Sequence, residues 1–133
     1  MTPGHTLSTE KSSARVQVVV GGVTVADTTD AVLLHETGLP TRYYVPRGDV
    51  AMDRLVPTAT TTHCPFKGDA VYWSVDIDGT LFTDMAWSYP APISDRADIT
   101  GLVCFFDERV DRITVDGVAA TRPETQWSAP VAS

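Results

Sequence analysis

Apolar residues along this chain come in short runs with a period of two, interrupted every few residues by glycine, proline or aspartate. Successive strand side chains point to opposite faces, so this period predicts β-strands rather than helices. Val16, Val18 and Val20 share a face of one strand. Gly21-Gly22 turns the chain, and residues 23–26 return it as a hairpin. Residues 31–36 form the next strand and residues 41–45 another, stopped by Pro46, which has no N–H to donate. Residues 49–55 read as a short helix with Asp49 as N-cap, ended by Pro57. Residues 58–63 are threonine-rich and suited to a strand.

The clearest signal lies between His63 and Trp87. The turn Cys64-Pro65-Phe66-Lys67-Gly68 leads into two runs, 71–77 and 80–87, around Asp78-Gly79, a strong two-residue hairpin signal. Counting from that turn sets Val75 opposite Phe82, Trp73 opposite Asp84 and Tyr72 opposite Met85. Val71, Trp73, Val75, Phe82 and Ala86 then share one face; Tyr72, Ser74, Asp76, Thr83, Met85 and Trp87 share the other. A short helix toward Ile99, a buried run at 102–106 and a last strand at 112–115 complete the pattern. Eight or nine short strands with one or two short helices predict a mainly β domain of antiparallel sheets. The expected organisation is a mobile tail over residues 1–14, a single β domain over 15–118 and a loose tail over 119–133.

Composition narrows the function classes. With 10 basic and 17 acidic residues, the formal charge is −7, which counts against a duplex nucleic-acid partner. No apolar run reaches the length needed to span a bilayer, and no apolar leader region opens the chain, so no membrane partner and a cytoplasmic location are expected. Cys64 and Cys104 form no metal-ligating spacing and are expected as free thiols in a reducing compartment. Nothing in the sequence identifies a cofactor or sets the oligomeric state.

The runs Leu33-Leu34-His35-Glu36, Arg42-Tyr43-Tyr44-Val45-Pro46, Thr62-His63-Cys64-Pro65-Phe66-Lys67-Gly68, Tyr72-Trp73 and Ala86-Trp87-Ser88-Tyr89-Pro90 resemble domain-of-unknown-function family 427 over residues 15 to about 117. The resemblance implies two β-sheets opened like a tent, with a pocket between them, and a bacterial origin. A nucleotidyltransferase-like label travels with the family, yet the Gly-Ser and spaced Asp-x-Asp arrangement of such enzymes is missing. Asp76-Ile77-Asp78 has the letters but sits at the hairpin turn. Where many members have arginine before the glutamate of the third strand, this chain has His35.

Candidate chemistry gathers in the same runs. Lys67, set by Pro65 and Gly68 beside aromatics, suits an anionic or carbonyl ligand; the plain alternative is an exposed turn lysine. Cys64 is a nucleophile if a cation lowers its pKa, and otherwise a small buried side chain. His35 and Glu36 are neighbours on a strand, so only one can enter a pocket. Tyr44, Tyr72, Trp73 and Trp87 supply either a planar-ligand pocket or core packing. The expected ligand-binding set is His35, Tyr44, Cys64, Lys67, Tyr72, Trp73 and Trp87. The leading expectation is a domain that binds a small anionic or planar molecule. The alternatives are an enzyme using Cys64 or Lys67 as nucleophile and a protein–protein module offering an open sheet edge.

Overall fold

A computed structural model describes residues 6–120 and 123–125. Its strands are β1 (Leu7–Lys11), β2 (Val16–Val20), β3 (Val23–Thr28), β4 (Val32–Glu36), β5 (Arg42–Val45), β6 (Leu55–Cys64), β7 (Gly68–Ile77), β8 (Thr80–Ser88), β9 (Val103–Phe105), β10 (Arg112–Val115) and β11 (Val118–Ala119). Seven form one sheet in the order β1-β4-β5-β9-β8-β7-β6, and four form a second in the order β11-β10-β2-β3. Every strand pair is antiparallel and neither sheet closes, which is the mainly β, open two-sheet arrangement expected.

Two apolar layers lie on opposite faces of the larger sheet. One face packs on the small sheet, where Val16, Val18, Val20 and Val25 meet Val45, Trp73, Val75, Ala86, Val103 and Phe105. The other carries a second cluster of Leu34, Tyr44, Trp87, Tyr89, Ile99, Cys104 and Phe106. Alternation produces the division: on β5, Tyr43 packs against the first layer and Tyr44 belongs to the second.

Several expectations need correction. Residues 7–11, placed in the N-terminal tail, form strand β1, which pairs with β4 from Leu7↔Glu36 to Lys11↔Val32. The strand is polar, because it lies at a sheet edge with little apolar surface to bury. Most of the expected loose C-terminal tail falls outside the described residues, but β11 extends the small sheet to Ala119. The helix expected near Asp49 is two 3-10 turns, Arg47–Asp49 and Met52–Arg54. Pro57, read as its stop, lies inside β6, which tolerates proline because it is the outermost strand.

The register of the β7–β8 hairpin is right at its tip and wrong beyond it. Val75 does face Phe82, but Trp73 faces Ala86 and Tyr72 faces Trp87. Two extra residues of β8 enter between these pairs, where Asp84 takes a left-handed φ of 49°. Its carboxylate accepts hydrogen bonds from Thr58 Oγ1 and Thr60 Oγ1, both at 2.9 Å, and its amide donates to Ser74 Oγ. Arg109 donates to its carbonyl at 2.9 Å. The irregularity turns Met85 into the inter-sheet core, while Trp87 stays beside Tyr72.

Candidate functional site

A cavity of about 390 Å³ opens on the face of the larger sheet that carries the second apolar cluster. Its lining comes from β4, β5, β6, β7 and β8, the β4–β5 loop, the Cys64–Gly68 turn, Tyr89 and Phe106. This cavity does not lie in the inter-sheet space where the resemblance places a pocket. The small sheet contributes none of the lining residues.

The cavity exists because the end of the β6–β7 hairpin bends over the sheet. In the sheet order, four strand-to-strand steps separate β4 from β7, a span of about 19 Å if the sheet were flat. Lys67 at the foot of β7 nevertheless donates from Nζ to Glu36 Oε1 of β4 at 2.7 Å. Register shifts between Pro57 and Thr61 and between Trp73 and Val75 supply the bend, since extra residues in one strand kink it and increase its twist. The turn is docked at its far side. Ile93 N–H donates to the Lys67 carbonyl at 2.9 Å, and at Gly68 the φ of 119° disfavours any side chain, whose Cβ would also press on Pro92 Cα at 3.2 Å.

The floor is aromatic. Trp87 Nε1 donates to the Tyr44 hydroxyl at 3.2 Å, and the two rings meet edge to face with centroids 6.3 Å apart. Phe106 lies against Trp87 at 4.4 Å, and Tyr72 stacks on Phe106 at 6.2 Å with planes 16° apart. Tyr72 is held upright by a 2.8 Å hydrogen bond between its hydroxyl and Thr62 Oγ1. Burial pushes the Tyr44 and Tyr89 phenols well above the ordinary tyrosine range, so both remain protonated.

Charge in the lining is paired. The side chains of Lys67 and Glu36 are 11% and 7% exposed, so their ion pair is a buried one. Arg42 is equally buried: it donates to Glu108 Oε1 at 2.5 Å, to Glu108 Oε2 at 2.8 Å and to Asp107 Oδ1 at 3.1 Å, and its guanidinium lies 5.2 Å from the Trp87 ring centre. Thr125 Oγ1 also bonds Glu108. Burial raises the Asp107 carboxyl to about 6, against the opposing pull of Arg42. Burial also works to raise Glu108, but its hydrogen bonds to Arg42 and Thr125 outweigh this and hold it below the usual range.

Of the seven residues expected at the site, Tyr44, Cys64, Lys67, Tyr72 and Trp87 line the cavity together. Trp73 does not. It lies in the inter-sheet core, 8% exposed, with Arg47 stacked 5.4 Å from its ring centre. His35 does not either: Glu36 takes the inward position, and His35 faces Thr41 Oγ1 at 3.0 Å and Glu10 at 3.3 Å. His63, the neighbour of Cys64, is exposed at the rim and pairs with Asp69 at 2.7 Å. Cys104 is fully buried beneath the site, and burial pushes its thiol up. Asp76 and Asp78 stay at the hairpin tip, where Asp76 caps the Gly79 amide and Asp78 lies 3.7 Å from Arg54. Arg42 and Phe106 were not anticipated. Their only sequence signal is parity: Arg42 shares a strand face with Tyr44, two residues on.

Among the described residues, no group of three or more His, Cys, Asp or Glu is placed to hold a metal ion. No described helix is long and apolar enough to cross a membrane. No curated protein matches the sequence. A family model described as Domain of unknown function (DUF427) matches residues 8–116, which takes in both apolar layers, the Cys64–Gly68 turn and every lining residue of the cavity. The chain therefore belongs to the DUF427 family.

Proposed function

We propose that this domain binds a small planar molecule in the aromatic cavity. The observation that carries the reading is the aromatic floor of Trp87, Phe106 and Tyr72, adjacent rings that line an open space of about 390 Å³. That volume lies within the range of small-molecule sites, and flat rings are bound most economically by flat rings already held in place. These rings are held by the Trp87–Tyr44 and Tyr72–Thr62 hydrogen bonds, so little ordering cost is left for binding.

The same geometry weighs against Lys67 as the nucleophile of an enzyme and against β6 as an open docking edge. Lys67 as a nucleophile would first have to give up a proton and a buried carboxylate partner. An open-edge interaction module is disfavoured at β6, where Pro57 and a register shift interrupt the edge. A cytoplasmic setting accords with the two free thiols, and the charge of −7 counts against duplex nucleic acid.

Tryptophan fluorescence and thermal shift against a library of planar aromatic compounds test the proposal. Tyr72→Ala removes one wall and is expected to weaken binding about tenfold. If no compound shifts the wild type more than it shifts this variant, the reading is wrong.

A further inference from the structure

Resting on that reading, we propose that the molecule taken up is neutral and carries a carbonyl-type acceptor oxygen, which receives a hydrogen bond from the hydroxyl of Tyr89. Two independent observations lead there, one about charge and one about an unused donor.

Each cation in the described lining is already matched. Glu36 meets Lys67 inside the cavity, and Glu108 and Asp107 meet Arg42 behind it. An incoming carboxylate would have to displace a buried carboxylate from Lys67 and would leave Glu36 charged beside it. Uncompensated charge in a largely dry site is costly. A neutral ligand disturbs neither pair.

Tyr89 is 5% exposed and lines the cavity. Its backbone carbonyl is taken by Gly101 N–H, but its hydroxyl makes no hydrogen bond with any described residue. Burial, then the proximity of Cys64, Tyr72, Cys104 and Glu36, holds the phenol in its protonated form, so it acts as a donor. The indole N–H of the floor is unavailable, because Trp87 spends it on Tyr44. Tyr89 lines the cavity without a side-chain partner among the described residues, so an acceptor on the ligand is the simplest match for its hydroxyl. The ring wall sets the rest of that ligand as a flat mono- or bicyclic frame. Amides and lactams of aromatic rings have this form.

Two matched pairs of probes separate the possibilities: benzamide with benzoate, and nicotinamide with nicotinate. Saturation-transfer NMR on the full chain reads binding at neutral pH, with toluene as a ring that has no acceptor. The amides should bind at least about tenfold more tightly than their acids, since burying a free carboxylate here is penalised. Tyr89→Phe, which removes one oxygen and keeps the packing, should weaken amide binding about three- to tenfold. The inference is overturned if the acids bind as well as the amides, or if Tyr89→Phe leaves amide affinity unchanged. In either case ring binding persists and the planar-ligand reading stands. If amides, acids and toluene all fail to bind, both readings fall together.

Discussion

Asp107 shows how much one buried carboxyl can reveal about its surroundings. Its side chain is 8% exposed, and its pKa of about 6 lies above the unfolded value of about 3.9. A raised carboxyl pKa means that the folded state holds the proton more tightly than the unfolded chain does. Between about pH 4 and pH 6 the unfolded chain ionises first, so this group's contribution to stability is present at low pH and is lost as pH rises through that window. At face value the loss is about 3 kcal/mol. Asp107→Asn should remove it: in urea titrations at pH 4 and pH 7, the wild type should lose more stability than the variant over that interval. Equal losses would mean that Arg42 already keeps Asp107 ionised throughout. At this scale the sequence was only half legible. Of the five expected residues that converge, Tyr44, Tyr72 and Trp87 share a strand face, whereas Cys64 and Lys67 are brought in by the turn at the end of the β6–β7 hairpin. The choice between His35 and Glu36 depended on the absolute phase of β4, and alternation supplies only the relative phase.

Among the elements, the β7–β8 hairpin was the easiest to recognise and the easiest to misalign. Asp78-Gly79 announces its turn, so the pairs next to the tip come out correctly. The register beyond Val75 is set by Asp84, which meets Ser74 across the hairpin and Thr58, Thr60 and Arg109 from outside it. No local pattern encodes that meeting. Asp84→Ala is expected to cost about 2–4 kcal/mol, since it removes two hydrogen bonds and leaves a Cβ at a φ of 49° without the local bonding that lets aspartate tolerate it. Asp84→Gly should recover part of the loss by relieving the backbone alone. Denaturant midpoints of the two variants check this, and a glycine variant no better than alanine would show that backbone conformation contributes little. Strand β1 escaped notice for a different reason. An edge strand with a mostly solvated sequence carries almost no apolar period, and its pairing is written in β4 rather than in itself.

For the molecule as a whole, the two-sheet plan was legible because β-branched runs and glycine turns dominate the sequence, and none of the chain reads as a long amphipathic helix. The cavity's position was not, because it depends on where the hairpin end bends over and not on which residues are apolar. β1 has a global role here. It covers the edge of β4, and β4 carries Leu34 and Glu36 into the cavity. Deleting residues 1–11 should uncover that edge, lower the melting temperature by several degrees and produce dimers or larger species by strand addition, read by size-exclusion chromatography and thermal unfolding. A truncated chain that stays monomeric and melts like the parent would assign β1 no such part.

The seven-stranded sheet acts as a partition between two trades. On β5 and β8, Tyr44 and Trp87 face the cavity, while Tyr43 and Ala86, one residue away on each strand, serve the interior. Cavity lining and inter-sheet packing are thus written on alternate letters of the same segments. Varying only the cavity-side letters, such as Leu34, Tyr72 and Phe106, would reshape the cavity while the inter-sheet interior keeps its own text. Tyr72, only partly buried, is the cavity-side position whose change would disturb the second apolar layer least.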